Sequence, residues 1–208
     1  MFITAKAEDD RLDEKIYPLG WSKDGKFAWL SRQVEEASDE GMWSLSILDA
    51  ASNKMAEKIP FTYPDKAGEG LAKFWAKYGK AIRATLARHE VKAGAMVMDH
   101  LPVVLGHRRN YVVAADITVK EPEKDDSNAF GIMVKSFTVN LRLGEQKSVL
   151  FEKNYDTVMP FAVSVAGCFH SPDERFGVIV VTALERGWEG APHPRVVETM
   201  AGFQLEKP

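Results

Sequence analysis

The sequence predicts a mainly β protein built from antiparallel sheets, with one amphipathic helix inserted at about residues 71–88. Three observations support this prediction. A turn-forming phrase occurs twice, once near each end of the chain. Residues 112–119 and 133–143 alternate between apolar and polar side chains, as strands with one buried face do. Apolar side chains recur at helical spacing in one clear segment, from Leu71 to Leu86.

The repeated phrase runs from Gly20 to Trp29 and again from Phe169 to Val178. Each copy contains Ser-x-Asp, one further residue, a Lys or Arg, and then Phe. Ser and Asp side chains bond to the backbone just downstream of themselves, so each copy predicts a tight turn between two strands. We therefore expect the Asp of each copy to organise a turn rather than to catalyse a reaction. We also expect the aromatic residue after each turn to be buried.

This phrase resembles the Ser-Pro-Asp-Gly-Lys turn of the TolB-type β-propeller repeat, where it joins neighbouring strands of a blade. The resemblance covers residues 17–54 and 169–205, and it implies two propeller-blade-like hairpin units. It does not extend over the middle of the chain, and a complete propeller would need about four or five regular repeats. The alternative is two unrelated Asp-containing turns in an all-β protein, where such turns are common.

The predicted strands are rich in β-branched and aromatic residues and are bounded by Gly, Pro and charged stretches. They are Trp29–Gln33, Trp43–Asp49, Met55–Phe61, Val103–Leu105, Tyr111–Val119, Phe130–Leu141, Ser148–Phe151, Phe161–Cys168, Phe176–Leu184 and Val196–Leu205. We expect a single domain over residues 1–208. Within it, we expect a β unit at 17–61, a helix insertion at 65–92 and a second β unit at 103–205. Residues 121–128 are expected to form a solvated loop.

The helix carries apolar residues on one side and cations on the other. Its apolar stripe consists of Leu71, Phe74, Trp75, Tyr78, Ile82 and Leu86. Its cations are Lys73, Lys77, Lys80, Arg83 and Arg88. A basic amphipathic helix can bind anions or a membrane surface. We favour the alternative, in which the stripe packs on a sheet while the cations stay in water.

Composition limits the partners and the location of the protein. The net charge of −3 argues against general nucleic-acid binding, and the single Cys allows no internal disulfide. No apolar run approaches the roughly 18 residues of a transmembrane segment. Ala5-Lys6-Ala7 before three acids is similar to a signal-peptidase site, although few apolar residues precede it. We expect a periplasmic or extracellular location, with the cytoplasm as the alternative. The oligomeric state is left open.

The sequence contains no phosphate-binding, zinc-protease or serine-hydrolase motif. Cys168 and His170 would share one face of a strand, but a nucleophile and base also need an orienting group and an exposed thiol. Cys168 lies in an apolar stretch, so we expect it to be structural. Met96, Met98 and His100 alternate in a way that suits Cu(I), but they do not make a complete site, and Met often fills core gaps. We therefore assign no catalytic residue, no cofactor and no metal.

A loop between two predicted strands offers the candidate contact residues. Trp188 is flanked there by Gly residues, with Arg186 before it and His193 and Arg195 after it. Trp and Arg are enriched at binding hot spots, so these four residues are candidate contacts for a partner or ligand. Alternatively, Trp188 folds back and covers the open end of a β sheet.

Three functions agree with these observations. The first is a non-catalytic bacterial envelope or secreted protein that binds a protein or a glycan of the cell envelope. The second is a small-molecule or lipid carrier, in which the aromatic helix closes a β cavity. The third is a hydrolase that uses Cys168 and His170.

Overall fold

The computed structural model confirms a mainly β fold with antiparallel sheets and one helix among the residues that it describes. The described residues are 15–35, 40–65, 70–105, 111–121, 133–156, 159–185 and 195–205. The strands are β1 (Lys15–Trp21), β2 (Lys26–Glu35), β3 (Glu40–Asp49), β4 (Lys54–Asp65), β5 (Lys92–Ala93), β6 (Val103–Leu105), β7 (Tyr111–Lys120), β8 (Ser136–Leu143), β9 (Gln146–Asn154), β10 (Ala162–His170), β11 (Phe176–Glu185) and β12 (Arg195–Gln204). The helix, α1, is Gly70–Arg88.

The chain forms two compact units, residues 1–97 and residues 98–208. The β unit predicted at 17–61 and the helix insertion belong to the first unit, and the β unit predicted at 103–205 belongs to the second. The assignment of both units to one domain stays a prediction.

The first unit is a five-stranded sheet with α1 packed on it. Its strands lie in the order β4-β3-β2-β1-β5, so the first four strands form an antiparallel meander. Phe74 of α1 is fully buried and stacks on Trp43 of β3 with ring centroids 4.3 Å apart. The cations of α1 are exposed. The favoured interpretation of the helix is therefore confirmed: its apolar stripe packs on a sheet and its basic side faces water.

The end of α1 is fixed by two backbone hydrogen bonds. The N–H of Val91 donates to the carbonyl of Leu86 at 2.8 Å, and the N–H of Glu90 donates to that of Ala87 at 3.0 Å. Glu90 has a left-handed φ of 55°. This is the Schellman arrangement, in which the N–H groups of a left-handed residue and of the residue after it donate hydrogen bonds to carbonyls in the last turn of the helix.

The second unit contains two sheets, β10-β11-β12 and β6-β7-β8-β9. Their facing sides share one core, in which alternate residues of β8 meet residues of β11 and β12. Val139, Leu141, Ile179 and Phe203 are among its members, and all are at most 5% exposed. The alternation predicted for residues 133–143 therefore corresponds to a strand with one buried face, as expected.

The first copy of the repeated phrase forms the turn between β1 and β2. The Ser22 hydroxyl accepts a hydrogen bond from the Lys26 backbone N–H at 2.8 Å and donates one to the Asp24 carboxylate. The Lys26 ammonium donates to the other oxygen of Asp24. Gly25 has a φ of 92°, a region that Gly reaches without steric cost. Phe27 follows the turn and is fully buried.

The second copy forms the turn between β10 and β11. The Ser171 hydroxyl donates to Asp173 at 2.7 Å and accepts the backbone N–H groups of Arg175 and Phe176, both at 3.1 Å. The Arg175 Nε donates to Asp173 at 2.5 Å. Glu174 has a φ of 54°. In both copies the Asp organises the turn and the following aromatic residue is buried, as predicted.

The strand that precedes each Ser-x-Asp turn contains a glycine, and the backbone of another segment crosses the strand very close to this glycine. A Cβ built on Gly20 would lie 2.0 Å from the carbonyl oxygen of Lys92, in β5. A Cβ built on Gly167 would lie 2.6 Å from the carbonyl oxygen of Asp99, which exchanges two 2.9 Å backbone hydrogen bonds with Cys168. Both contacts are shorter than any side chain tolerates, so glycine is required for each crossing.

Candidate functional site

Most of the predicted contact loop lies outside the described residues. This is true of Arg186, Trp188 and His193. Arg195 begins β12, where its backbone is opposite Glu185. The proposal that these four residues contact a partner stays a prediction.

Cys168, His170 and Asp99 meet at the start of the second turn. Cys168 is 1% exposed, and burial raises the pKa of its thiol to about 12. His170 Nε2 lies 3.0 Å from Asp99 Oδ2, and that oxygen has no well-aligned hydrogen-bond partner among the described residues. Asp99 is thus a partner of His170, whereas the Cys168 thiol donates to the Phe169 carbonyl at 3.4 Å. The thiol, however, is buried and protonated at neutral pH, so it is not an available nucleophile.

Met98 and His100, two members of the predicted Met96, Met98 and His100 group, have different surroundings. Met98 packs against Gly167, where its Cγ would be 2.7 Å from a built Cβ, and His100 is exposed. No group of three or more His, Cys, Asp or Glu side chains in the described ranges is arranged to hold a metal ion. Met98 instead fills the space beside a glycine, the packing role that Met commonly has.

A charged cluster joins the C-terminal end of α1 to β4. Glu57 accepts hydrogen bonds from Arg88 and lies 2.6 Å from His89 Nε2. The hydrogen bond from Arg88 and then that from His89 hold the pKa of Glu57 below its usual value. All three groups are satisfied by one another. This cluster therefore anchors the helix end to the sheet edge, and it leaves little capacity for a ligand.

The open face of the β7-β8-β9 sheet is the candidate functional site. It forms a groove of about 670 Å³ on the side of the sheet that faces away from the core. Each strand contributes two of the side chains that line it. These are Ala114 and Asp116 from β7, Asn140 and Arg142 from β8, and Lys147 and Val149 from β9. We call this site the sheet groove.

One end of the sheet groove is cationic. Arg142 and Lys147 are directly opposite each other in the β8–β9 register, so their Cβ atoms are about 5 Å apart. Both side chains are exposed, and neither forms an ion pair or hydrogen bond with another described residue. Like charges placed directly opposite each other destabilise a sheet. Two unpaired cations at adjacent positions therefore form a strong local attraction for an anion.

The other end of the sheet groove is an ordered row of hydrogen-bonding groups. The Asn140 amide nitrogen donates to Asp116 Oδ1 at 2.8 Å and to Thr118 Oγ1 at 3.0 Å. This orientation fixes the amide, and the second carboxylate oxygen of Asp116 forms no such bond with a described residue. Val149 is directly opposite Asn140 and is 59% exposed, so it provides an apolar contact beside the polar row.

A small residue forms the floor of the sheet groove. Ala114 is opposite Arg142 on the neighbouring strand. Its short side chain leaves room above the backbone, and longer polar side chains surround that space. The arrangement can bind a polar ligand by charge at one end and hydrogen bonds at the other, but it presents no acid–base pair or nucleophile.

The residues of the sheet groove were not predicted from the sequence. Their types are ordinary for the solvated face of a sheet, and only the register brings Arg142 and Lys147 together. A usable signal lay in Gly144-Glu145, which form a two-residue hairpin loop with Gly144 at a φ of 59°. Gly in the first position of such a loop is a recognised hairpin feature, and it fixes the pairing of the residues on both sides.

In the part of the chain that the structure describes, no helix combines the length and apolar composition that a membrane crossing requires. Comparison with known proteins finds no family and no curated protein that matches this chain, so the TolB-type resemblance stays a prediction.

Proposed function

We propose that this chain is a non-catalytic binding protein that holds a glycan in the sheet groove. The observation that carries the proposal is the groove itself, which combines unpaired cations, an oriented carboxylate–amide pair and an alanine floor on an open sheet face. Sugars present many hydroxyl groups along a partly apolar ring, so they match a row of polar side chains interrupted by an exposed valine.

A protein partner is the alternative occupant of the groove. Protein interfaces concentrate their binding free energy in buried Trp, Tyr and Arg anchors. The sheet groove offers one alanine and one exposed valine, and it contains no aromatic side chain among its described lining residues. We therefore favour a glycan as the ligand.

The carrier function receives no support from α1. The helix would have to close a β cavity with its aromatic residues, but Phe74 stacks directly on Trp43 and packs edge-to-face against Phe61 at 5.3 Å. The space beneath the helix is thus filled by aromatic rings. The hydrolase function likewise receives no support from Cys168, because its thiol is buried and protonated.

The envelope or extracellular location is part of the same proposal. It is supported by the turn phrase, which resembles one frequent in envelope proteins, and by the Ala5-Lys6-Ala7 sequence, which lies outside the described residues. N-terminal sequencing of the native protein tests it. A processed terminus in an envelope fraction would support export, whereas an intact Met1 in the cytosol would contradict it.

Blocking the groove tests the binding function. We expect Ala114→Trp to abolish binding to any glycan that the wild-type protein binds, because the indole would fill the floor between Arg142 and the polar row. Binding is measured by isothermal titration calorimetry against a panel of soluble neutral, acidic and basic oligosaccharides. Ala76→Trp, at an exposed position of α1, is the matched control and should bind as the wild type does.

Two results would contradict the proposal. One is that no member of the panel binds with a Kd below about 1 mM, the weak end of specific recognition. The other is that Ala114→Trp binds as tightly as Ala76→Trp while both retain the wild-type unfolding midpoint. Binding of unstructured peptides in place of oligosaccharides would favour the protein alternative.

A further inference from the structure

We infer that the ligand of the sheet groove is an acidic glycan, a saccharide that carries carboxylate groups, with one carboxylate seated between Arg142 and Lys147. This inference rests on the proposed glycan-binding function and specifies the chemical class of its ligand. It is carried by the uncompensated cation pair at one end of the groove.

The repulsion between Arg142 and Lys147 destabilises the sheet, and no acidic partner among the described residues offsets it. Arg142 and Lys147 are cross-strand partners, and neither is paired with an acid of the described chain. Their separation suits a shared anion, because a guanidinium can donate two parallel hydrogen bonds to a carboxylate while the ammonium contacts it as a point charge. A bound carboxylate would turn the cross-strand repulsion into two attractive contacts.

The rest of the groove gives the ligand a direction. Asp116 is opposite Asn140, two residue pairs along the strands from Arg142, and its carboxylate would repel a second anion placed there. It would instead accept hydrogen bonds from sugar hydroxyls. A carboxylate at the Arg142 end and hydroxyls at the Asp116 end describe a sugar acid, and not a uniformly anionic ligand such as a polyphosphate.

The open shape of the sheet groove and its exposed valine favour a glycan over other ligands that carry a carboxylate. The site is an open groove rather than an enclosed pocket, and Val149 leaves a single exposed apolar surface beside the polar row. An extended chain of sugar rings can lie along such a groove and place one ring face on the valine. A small free organic acid would occupy only the cationic end.

The test compares a neutral xylo-oligosaccharide that carries a single glucuronic acid with the methyl ester of the same oligosaccharide. The two ligands differ by one negative charge and by the methyl group that removes it. We expect the acid to bind the wild-type protein at least about tenfold more tightly than the ester, with a preference that declines as salt concentration rises. In Arg142→Gln/Lys147→Gln the acid should bind no better than the ester. Asp116→Asn should weaken both forms by a similar factor.

The control removes the same charge elsewhere in the molecule. Lys58→Gln/Lys80→Gln changes two exposed lysines on β4 and α1, and it should keep the full preference for the acid. The fold of the Arg142→Gln/Lys147→Gln variant is checked by its urea midpoint. That midpoint should be equal to or above the wild-type value, because a like-charge pair has been removed.

The outcomes separate the inference from the proposed function. If acid and ester bind equally and Ala114→Trp abolishes both, the groove binds glycans but the charge preference is wrong. If the preference survives in Arg142→Gln/Lys147→Gln, or is lost in Lys58→Gln/Lys80→Gln, the cation pair is not its source. If neither the acid nor the ester binds, the inference is overturned; whether the proposed function also falls is decided by the panel of neutral, acidic and basic oligosaccharides. Tighter binding of free glucuronate than of the oligosaccharide would show that the ligand is a small acid and not a glycan.

Discussion

The two copies of the Ser-x-Asp phrase can be compared position by position, because each connects the first two strands of an antiparallel meander. In both, a buried serine hydroxyl bonds to the Asp two residues later and to the backbone N–H four residues later. In both, the basic side chain after the turn pairs with the same Asp. The hydrogen-bonding side chains therefore define this turn, and its role is architectural in both units.

The two turns differ at the position before the basic residue. The first has Gly25 at a φ of 92°, and the second has Glu174 at a φ of 54°. A non-glycine residue in this region carries a cost of about 1 kcal/mol or more. Glu174 is only 6% exposed and takes part in interactions with its surroundings, so the second unit keeps a side chain where the first has none. The turn requires a left-handed backbone there, and it does not require glycine.

The largest effects should come from the two crossed glycines. Gly20→Ala places a methyl group on the Lys92 carbonyl, and Gly167→Ala places one on the Asp99 carbonyl. We expect each variant to lose about 2–4 kcal/mol of unfolding free energy, because backbone must shift to admit the methyl group. Gly20→Ala should lose more, since the overlap is closer. Urea denaturation measures both.

Gly94→Ala is the matched control for the glycine variants. Nothing lies within 4 Å of a Cβ at Gly94, so this variant should be at least as stable as the wild type. If Gly167→Ala loses no more unfolding free energy than Gly94→Ala, the backbone at Asp99 can move away from the added methyl group without cost. The two units would then be alike in their turns but not in their glycine crossings.

Removing the turn hydroxyls should have an intermediate effect. Ser22→Ala leaves the half-buried Lys26 N–H without its partner, and Ser171→Ala leaves the buried Phe176 N–H without its partner, whereas the Arg175 N–H keeps a 3.3 Å hydrogen bond to Asp173. An unsatisfied buried donor costs about 1–3 kcal/mol, and the cost rises with burial, so we expect Ser171→Ala to be the more destabilising variant. Thermal unfolding compares the two variants, with the exposed Ser52→Ala as control. Equal losses of stability in Ser22→Ala and Ser171→Ala would contradict this ranking.

The smallest effect concerns the pH dependence contributed by Asp24 and Asp173. Hydrogen bonds from Lys26 and then Ser22 hold the pKa of Asp24 below its usual value. Burial acts to raise the pKa of Asp173, but hydrogen bonds from Ser171 and Arg175 outweigh it and lower the pKa. A lowered folded-state pKa gives stability that is complete above about pH 4 and is lost as the pH falls through the folded value.

We therefore expect Asp24→Asn and Asp173→Asn to reduce the stability gained between pH 3 and pH 6, by less than about 1 kcal/mol each because both side chains are half exposed. Asp24→Asn should have the larger effect, since burial opposes the shift more strongly at Asp173. The measurement is the urea midpoint as a function of pH. If the pH dependence of the urea midpoint is the same in both variants as in the wild type, the prediction is contradicted.

Local patterns were sufficient for most of the fold. Each predicted strand corresponds to an observed one with shifted ends, and the helix predicted at 71–88 is Gly70–Arg88. The strand β5 was not predicted, and β1 was predicted only as the strand before the first turn, without bounds. β1 contains Pro18 and Gly20, which disfavour strands, and it bulges between them. β5 is two residues long and forms only because Gly20 admits it, which is a tertiary effect without a local signal.

The candidate site could not be predicted in the same way. Arg142 and Lys147 are unremarkable in the sequence, and their opposition depends on the register of a hairpin. The sequence instead directed attention to rare residue types, Cys168 and Trp188. The first is held in a core, and the second lies outside the described residues. The register of the strands brings common residue types together in the candidate site. Searching the sequence for rare residue types therefore does not find such a site.

The glycine crossings also bear on the solubility of the protein. β1 and β10 each lie at the side of a sheet where an unpaired backbone could recruit a strand from another molecule. β5 pairs with the end of β1, and the Asp99 bridge pairs with Cys168 near the end of β10. Each short cover interrupts the row of free backbone groups, so a foreign strand cannot pair along the whole edge. Two glycines without side chains thereby help to keep the protein from edge-to-edge aggregation.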